Sequence, residues 1–345
     1  MPNTIVLMTA LVPTVGHLHL IDFAAALAGM GTAHIIVGSM DSEPVHGVTR
    51  YTSLYAYANN THSNVIVHHL HRDVLQNPWE HDDFWSVWAS IVREFVDVNT
   101  NDYFVASELY GLDMAKVLGC NFMPCDIARQ TLPIKGTNVR KDLLSYFDQI
   151  APTFQHNLRK TVTIFGAESC GKTTMAKKLA GEMDGWFVPE WAREYLETVG
   201  SELTQEKMRA IVAGQSALQR SVQNLTGRPF IFQDTDLFST LGYYRLWGNG
   251  IEKDILSVRS KALWNKSDLY IVMNDRIPFE ADPLRYGGDK RESGTQYWID
   301  LLKEFNLPFY EVKNIDPQKQ LQEVCAFLVN WYENQHKHII EYRRQ

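Results

Sequence analysis

The chain has 345 residues, enough for two domains of ordinary size. Apolar residues make up 45% and charged residues 21%, which is globular usage and argues against disorder. A formal net charge of -7, with no long Lys/Arg run, argues against a surface built to neutralise nucleic-acid phosphate.

Residues 1–13 have no basic residue ahead of their apolar stretch, so they do not read as a signal peptide. Residues 4–9 read as a buried strand and 16–30 as a helix. The apolar part of that helix is broken by Asp22 and is too short to span a bilayer. Residues 33–38 and 64–69 read as further strands. Residues 84–96 read as a helix, with Trp85, Trp88 and Ile91 at helical spacing, and 103–107 as a strand. A turn-like linker, Ala151-Pro152-Thr153, then separates this half from a second. There, strands are expected at 161–165, 230–233 and 269–273. Helices are expected near 172–183, 205–225, 295–305 and 317–334. The alternation predicts an α/β fold with two doubly wound parallel-sheet domains, 1–155 and 156–345. Cys120, Cys125, Cys170 and Cys325 show neither CxxC pairing nor zinc spacing. They read as reduced thiols of a soluble, cytoplasmic protein.

The run GAESCGKT at 166–173 fits the P-loop pattern GxxxxGK[ST], with a strand before it and a helix after it. Its backbone N–H groups and the helix start suit phosphate. The ATP site is expected to use Gly166, Glu168, Ser169, Cys170, Gly171, Lys172, Thr173 and Thr174, with Lys172 on the β- and γ-phosphates and Thr173 on magnesium. The segment PEWAREY (189–195) follows an expected strand end, and QDTD (233–236) closes another. Acids there would lie at the carboxyl edge of the sheet. Arg285, Lys290 and Arg291, around Gly287 and Gly288, have the composition of a basic lid, and Arg285 and Arg291 are expected on ATP. Phosphoryl transfer needs one carboxylate near the acceptor hydroxyl, and Glu190 and Asp234 are the candidates.

In the first half, Thr14-Val15-Gly16-His17 lies between the first strand and first helix and fits the [HT]xGH signature of nucleotidyltransferases. His17 and Thr14 offer donors to an α-phosphate, and Gly16 lets the backbone come close. The cluster Trp79, Phe84, Trp85 and Trp88 offers an indole face to a flat cation. Trp85 is the first choice and Trp79 the second, with Trp88 read as core.

The runs GAESCGKTT, PEWAREY, QDTD and PFEADPLRYGG, in that order, resemble the ribosylnicotinamide kinase domain of the bifunctional NadR-like family. That resemblance covers nearly the whole second half. It implies a P-loop kinase fold, nicotinamide riboside as acceptor, riboside contacts from Glu190, Arg193, Asp234 and Asp236, and magnesium on Thr173 and Asp236. IKGTNVR (134–140) resembles the ISxTxxR motif of the transferases, placing Thr137 and Arg140 on ATP. Lys135 stands where the family has Ser. SELYG (107–111), Asp126 to Arg129, Gly38-Ser39 and Arg50 are similar to nicotinamide mononucleotide (NMN) adenylyltransferases, implying a Rossmann-like nucleotidyltransferase fold with Ser39 and Arg50 at NMN.

Together these imply two ATP- and magnesium-dependent steps: riboside to NMN, then NMN to NAD and pyrophosphate. The expected catalytic residues are His17, Arg140, Lys172, Glu190 and Asp234. The expected partners are small molecules, with no nucleic acid and no membrane. The bacterial regulators of the family carry an N-terminal helix-turn-helix, and this chain starts at the first transferase strand, so DNA binding and a repressor role are not expected. Self-association is left open. Two alternatives remain: a working kinase joined to a nucleotide-sensing first domain, which Lys135 permits, or a pair of enzymes with other substrates.

Overall fold

The computed structural model describes residues 1–202, 204–247, 252–276 and 294–342. They form two compact units, Met1–Asn157 with the residues from His336 onward, and Leu158–Gln335.

The first unit is a five-stranded sheet of β1 (Thr4–Met8), β2 (Ala33–Ser39), β3 (Val65–His71), β4 (Tyr103–Ala106) and β5 (Asn121–Pro124), in the order β3-β2-β1-β4-β5. Every pairing among them is parallel. β1 lies at the centre because both its faces are apolar: Ile5 and Val6 have no exposed surface. The chain runs from β1 outward to β2 and β3 on one side and then crosses back from β3 to β4 on the other side of β1, so the strand order reverses there. A crevice therefore opens at the carboxyl ends of β1 and β4. One face of the sheet packs Ile5, Ile36, Phe104, Val92 and Met114 into a single core.

The second unit holds β6 (Lys160–Phe165), β7 (Gly185–Val188), β8 (Phe230–Asp234), β9 (Leu269–Val272) and β10 (Phe309–Glu311), in the order β10-β9-β6-β8-β7, again all parallel. β6 is central, and its residues 161–165 are all buried. Trp298, Phe165, Phe238, Tyr270 and Leu241 form the core on one side.

The two doubly wound parallel sheets match the expected α/β class. Two strands escape the sequence pattern for physical reasons, and a third, β7, is expected only as a strand end ahead of residue 189. β5 is an edge strand with two exposed and two half-buried residues, so it carries no apolar run. β10 has three residues, all half-buried. β7 opens on Gly185, with no room for a side chain beside Phe232. The helix Gly47–Thr61 was missed because its composition is nearly neutral in hydropathy.

The expected linker differs most. Residues 151–153 are not a free turn: Pro152–Gln155 is a short helix, and Ile150, Ala151 and Phe154 are buried. Ala151 N–H donates to the Pro13 carbonyl at 2.9 Å, and Thr14 bridges to Ile150, so this segment braces the loop after β1. The last helix, Lys337–Ile340, also packs on the first unit, so the chain crosses back near its end. Phe154→Ala is expected to lower the stability of the first unit by about 3 kcal/mol or more, measured by urea unfolding. An unchanged midpoint would mean the segment is a tether.

Candidate functional site

A cavity of about 620 Å³ opens over the carboxyl ends of β1 and β4 in the first unit. Thr14 precedes the helix Val15–Ala28, and its N–H donates to His17 Nδ1 at 3.0 Å, with the Thr14 hydroxyl 2.8 Å from the same nitrogen. A backbone N–H only donates, so Nδ1 is the acceptor and the neutral ring carries its proton on Nε2. Burial, reinforced by the Arg129 guanidinium, pulls the His17 pKa down to about 4. His17 is therefore a neutral donor at neutral pH. Gly16, Thr137, Lys135 and Arg140 line the same cavity, so both motifs meet there.

Arg140 also holds the tail of the first unit. Its Nη1 donates to the carbonyls of Ile339, at 3.4 Å, and Tyr342, and its guanidinium lies over the Tyr342 ring at 5.6 Å. Trp85 lines the cavity with its ring edge-on to Phe84, and Trp88 lines it too, pinned by Nε1 donating to the Leu75 carbonyl at 2.9 Å. Trp88, expected as core alone, thus serves core and cavity together. Trp79 is 82% exposed and lies outside the lining.

Ser39 lines the cavity, its Oγ within 2.9 Å of His69 Nε2 and 3.0 Å of His71 Nδ1. Arg50, expected at NMN, is fully buried and not part of the lining. It donates to the Thr9 carbonyl at 2.8 Å and pairs with Glu43. Glu43 in turn accepts from Met40 N–H at 3.0 Å and lines the cavity, so Arg50 shapes the loop after β2 from behind. The carboxylate of Asp126 collects the N–H groups of Gln130, Thr131 and Leu132, which folds the loop before Ile134. A lone Glu between strands carries no spacing signal, so the role of Glu43 was not legible; Asp126 was picked out by resemblance, but not for its part in folding this loop.

In the second unit the P-loop follows β6. Gly166 has φ +133°, and a Cβ there would come within 3.0 Å of the Met273 carbonyl. Gly171 has φ +83° and starts the helix Lys172–Glu182. Lys172 Nζ donates to the Ala167 carbonyl at 2.7 Å, and Cys170 Sγ donates to the same carbonyl at 3.0 Å. Cys170 is buried, Glu168 and Ser169 are half-buried on the loop, and Thr173 and Thr174 are exposed at the helix start. Burial opposes the charge on Lys172. Neighbouring Tyr243, Cys170, Glu190 and Asp234 outweigh it and hold its pKa above the ordinary value.

Asp234 ends β8 and is hydrogen-bonded to the Thr173 side chain. Glu190 directly precedes the helix Trp191–Val199. Burial raises both carboxylates above the usual range. Asp234 adds to the shift of Glu190, while Lys172 and Arg193 oppose it. Arg193 is half-buried, 3.9 Å from Glu197. Tyr243, and Gln215, which accepts from Trp191 N–H at 3.0 Å, complete the surroundings. Neither belongs to a motif, so neither was legible.

Asp236 departs from its expected metal role. Its carboxylate accepts from the N–H groups of Phe238 and Ser239 at 2.9 and 3.1 Å and from the Tyr270 hydroxyl at 2.8 Å. It caps the helix Leu237–Trp247 from a fully buried position. Between the two acids, Thr235 holds φ +82°, a strained value for a β-branched residue. The basic lid segment with Arg285, Lys290 and Arg291 lies outside the described residues. Among the described residues, no helix is long and apolar enough to cross a membrane.

The fold and these loops define a two-unit α/β protein whose second unit is a P-loop fold. Residues 161–319 match the family model described as an AAA domain. Over 266 residues, 73% of this chain, the sequence is 25% identical to the trifunctional NAD biosynthesis/regulator protein NadR of Salmonella typhimurium, and it is 24% identical to that of Escherichia coli over 261. The chain spans 62% of the length of those relatives. A solved NadR in complex with NR has a TM-score of 0.66 at 22% identity, covering 96% of both chains. Another, with NAD and AMP-PNP, has a TM-score of 0.64 at 20% identity, covering 100% of this chain and 98% of the other. The chain is thus similar to the NadR proteins over most of its length and in fold, as its motifs led us to expect.

The Asp236 pKa is pushed up to about 6 by burial, against the hydrogen bonds of Tyr270 and the helix N–H groups. The folded protein then holds this proton more tightly than the unfolded chain. The associated stability is full below the ordinary aspartate pKa and is lost as pH rises through 6. Asp236→Asn keeps a capping oxygen and is expected to remove this part of the pH dependence, on the order of 3 kcal/mol between pH 4 and 7. Urea unfolding across that range measures it, and an unchanged slope would count against the assignment.

Proposed function

We propose that the chain is a bifunctional NAD salvage enzyme. The second unit phosphorylates nicotinamide riboside to NMN with ATP, and the first transfers an adenylyl group from ATP to NMN, giving NAD and pyrophosphate. The observation that carries this reading is the pair of phosphate loops, one after the central strand of each sheet, each with the donor set its reaction needs. The NadR relatives are named for NAD biosynthesis, and solved NadR proteins hold NR, NAD and AMP-PNP, which supports substrates of this class.

In the kinase step the riboside hydroxyl oxygen attacks the γ-phosphorus and the bond to the β-phosphate oxygen breaks. Glu190 takes the hydroxyl proton. Its raised pKa suits a general base, and its place beside Lys172 sets it next to the transferring group. Lys172 exchanges the Ala167 carbonyl for phosphate oxygens. Arg193 and the Trp191 helix form the acceptor side. The hydroxyl of Thr173 and the carboxylate of Asp234, already hydrogen-bonded, form a hard-oxygen pair that fits magnesium. When bound, the ion neutralises phosphate charge. Asp236 holds Asp234 in place through the strained Thr235.

In the adenylyl step an NMN phosphate oxygen attacks the α-phosphorus of ATP. Neutral His17 donates from Nε2 to the charge that develops there, with its ring fixed by Thr14. Trp85 offers its face to the nicotinamide ring at the cavity wall. No proton transfer is needed, so orientation and charge stabilisation suffice. A second reading, a working kinase joined to a nucleotide-sensing first unit, is favoured by the engagement of Arg140 with the C-terminal tail. Incubation with NMN and ATP separates the two, since a sensor binds without making NAD.

Lys172→Ala is expected to abolish riboside phosphorylation and spare NAD formation from NMN. His17→Ala is expected to do the reverse, with a loss of about a hundredfold or more. Asp234→Asn is expected to cost phosphorylation far more than Asp236→Asn. Loss of both activities in either single variant, with the fold intact by circular dichroism, would contradict two separate sites.

A further inference from the structure

A buried hydroxyl normally bonds a nearby carbonyl, N–H or side chain, because leaving it unpaired away from water costs stability. Five buried threonines lie among the described residues, and four follow that rule. Thr4 donates to the Ala24 carbonyl at 2.9 Å, and the Thr14 hydroxyl lies 2.8 Å from His17 Nδ1. Thr163 lies 2.6 Å from the Ser267 hydroxyl, and Thr161 accepts from Gln223 Nε2 at 3.4 Å. Thr235 is the exception. It is 5% exposed, and its Oγ1 has no hydrogen-bond partner among the described residues. Its backbone adds to the cost, because φ +82° is a region that glycine enters freely and a β-branched residue enters with strain. The chain thus carries a side chain where its backbone favours none, and the hydroxyl does nothing for the fold.

The sheet order says what such a hydroxyl can serve. β8 lies between β6 and β7, and all three strands are parallel, so the P-loop, Thr235 and Glu190 leave the sheet at one edge. A phosphoryl group moving from a nucleotide on the loop after β6 to an acceptor beside Glu190, after β7, crosses the end of β8. The neighbours of Thr235 are already engaged. Asp234 is hydrogen-bonded to the Thr173 side chain at the start of the P-loop helix, and Asp236 is held by Phe238, Ser239 and Tyr270. Resting on the kinase reading above, we infer that Thr235 is a catalytic residue of the second unit, whose hydroxyl donates to an oxygen of the phosphoryl group as it passes from ATP to the acceptor. A neutral donor suits a place between two carboxylates, because it meets the phosphoryl charge without drawing Asp234 or Asp236 into an ion pair. A bond made only during transfer acts on kcat and leaves the binding of either substrate in place.

The test compares Thr235→Val and Thr235→Ser with the unaltered full chain, by steady-state phosphorylation of nicotinamide riboside at varied ATP and varied riboside, with a thermal melt of each protein. Thr235→Val keeps the shape and the branch and removes the hydroxyl. It is expected to lower kcat by about ten- to a hundredfold, with both KM values within about threefold. It is also expected to melt at the same temperature as the unaltered protein or higher, because the fold loses no hydrogen bond. Thr235→Ser is expected to restore most of kcat. An unchanged kcat in Thr235→Val would overturn the inference. So would a loss confined to the KM for riboside, which would make the hydroxyl an acceptor contact, or a lower melting temperature, which would make it part of the fold. If the unaltered protein phosphorylates no riboside, the kinase reading itself has failed. Hydrolysis of ATP to ADP without acceptor, by the unaltered and Thr235→Val proteins, then decides the Thr235 assignment alone: slower hydrolysis in the variant supports it and equal rates refute it.

Discussion

A parallel sheet covered on both faces has little free backbone left except at the ends of its strands. In this protein the ladders of β1 and β6 are paired on both sides, and their side chains are buried above and below. The carboxyl edge is where loops can leave the sheet with donors still unused. Both units place the loop that carries their sequence motif there, directly after the central strand. The buried residues of β1 and β6 are therefore what aims Thr14, His17 and Lys172. The segment around Ile150 extends the same constraint, because its bonds to Pro13 and Thr14 stop the first loop from swinging away.

Burial does opposite electrostatic work in the two units. In the first it strips the charge from His17, leaving a neutral donor oriented by Thr14. In the second it raises Glu190 and Asp234 beside Lys172, so two acids and one base share a small volume. Groups of that kind are expensive to hold unless a ligand or ion completes them, which is common at functional sites. Asp236 is a contrast: three donors satisfy it, and its strained neighbour Thr235 joins it to Asp234. Of two acids two residues apart, one holds the helix and the other faces the P-loop threonine.

The buried central strands and the P-loop were legible because apolar runs and a long spaced motif are local signals. The alternation of strands and helices gave the fold class for the same reason. Side-chain roles were less legible, because they depend on partners far away in sequence. Arg50 reads as a phosphate ligand until Glu43 and the Thr9 carbonyl are seen around it. Arg140 lines the cavity as its motif suggests, but its contact with a tail some two hundred residues later could not be read from the sequence. Asp236 reads as a metal ligand until Tyr270, on another strand, reaches it. Trp79 and Trp85 look alike in sequence, and six residues of chain decide which one meets the cavity.

Two loops on two sheets make chemical sense as one pathway if the product of the second unit is the substrate of the first. The direct measurement is one incubation of the purified chain with nicotinamide riboside, ATP and magnesium, followed by chromatography. The account predicts that NMN rises and falls while NAD accumulates. Riboside left unconsumed, or NMN that builds up with no NAD, would contradict it.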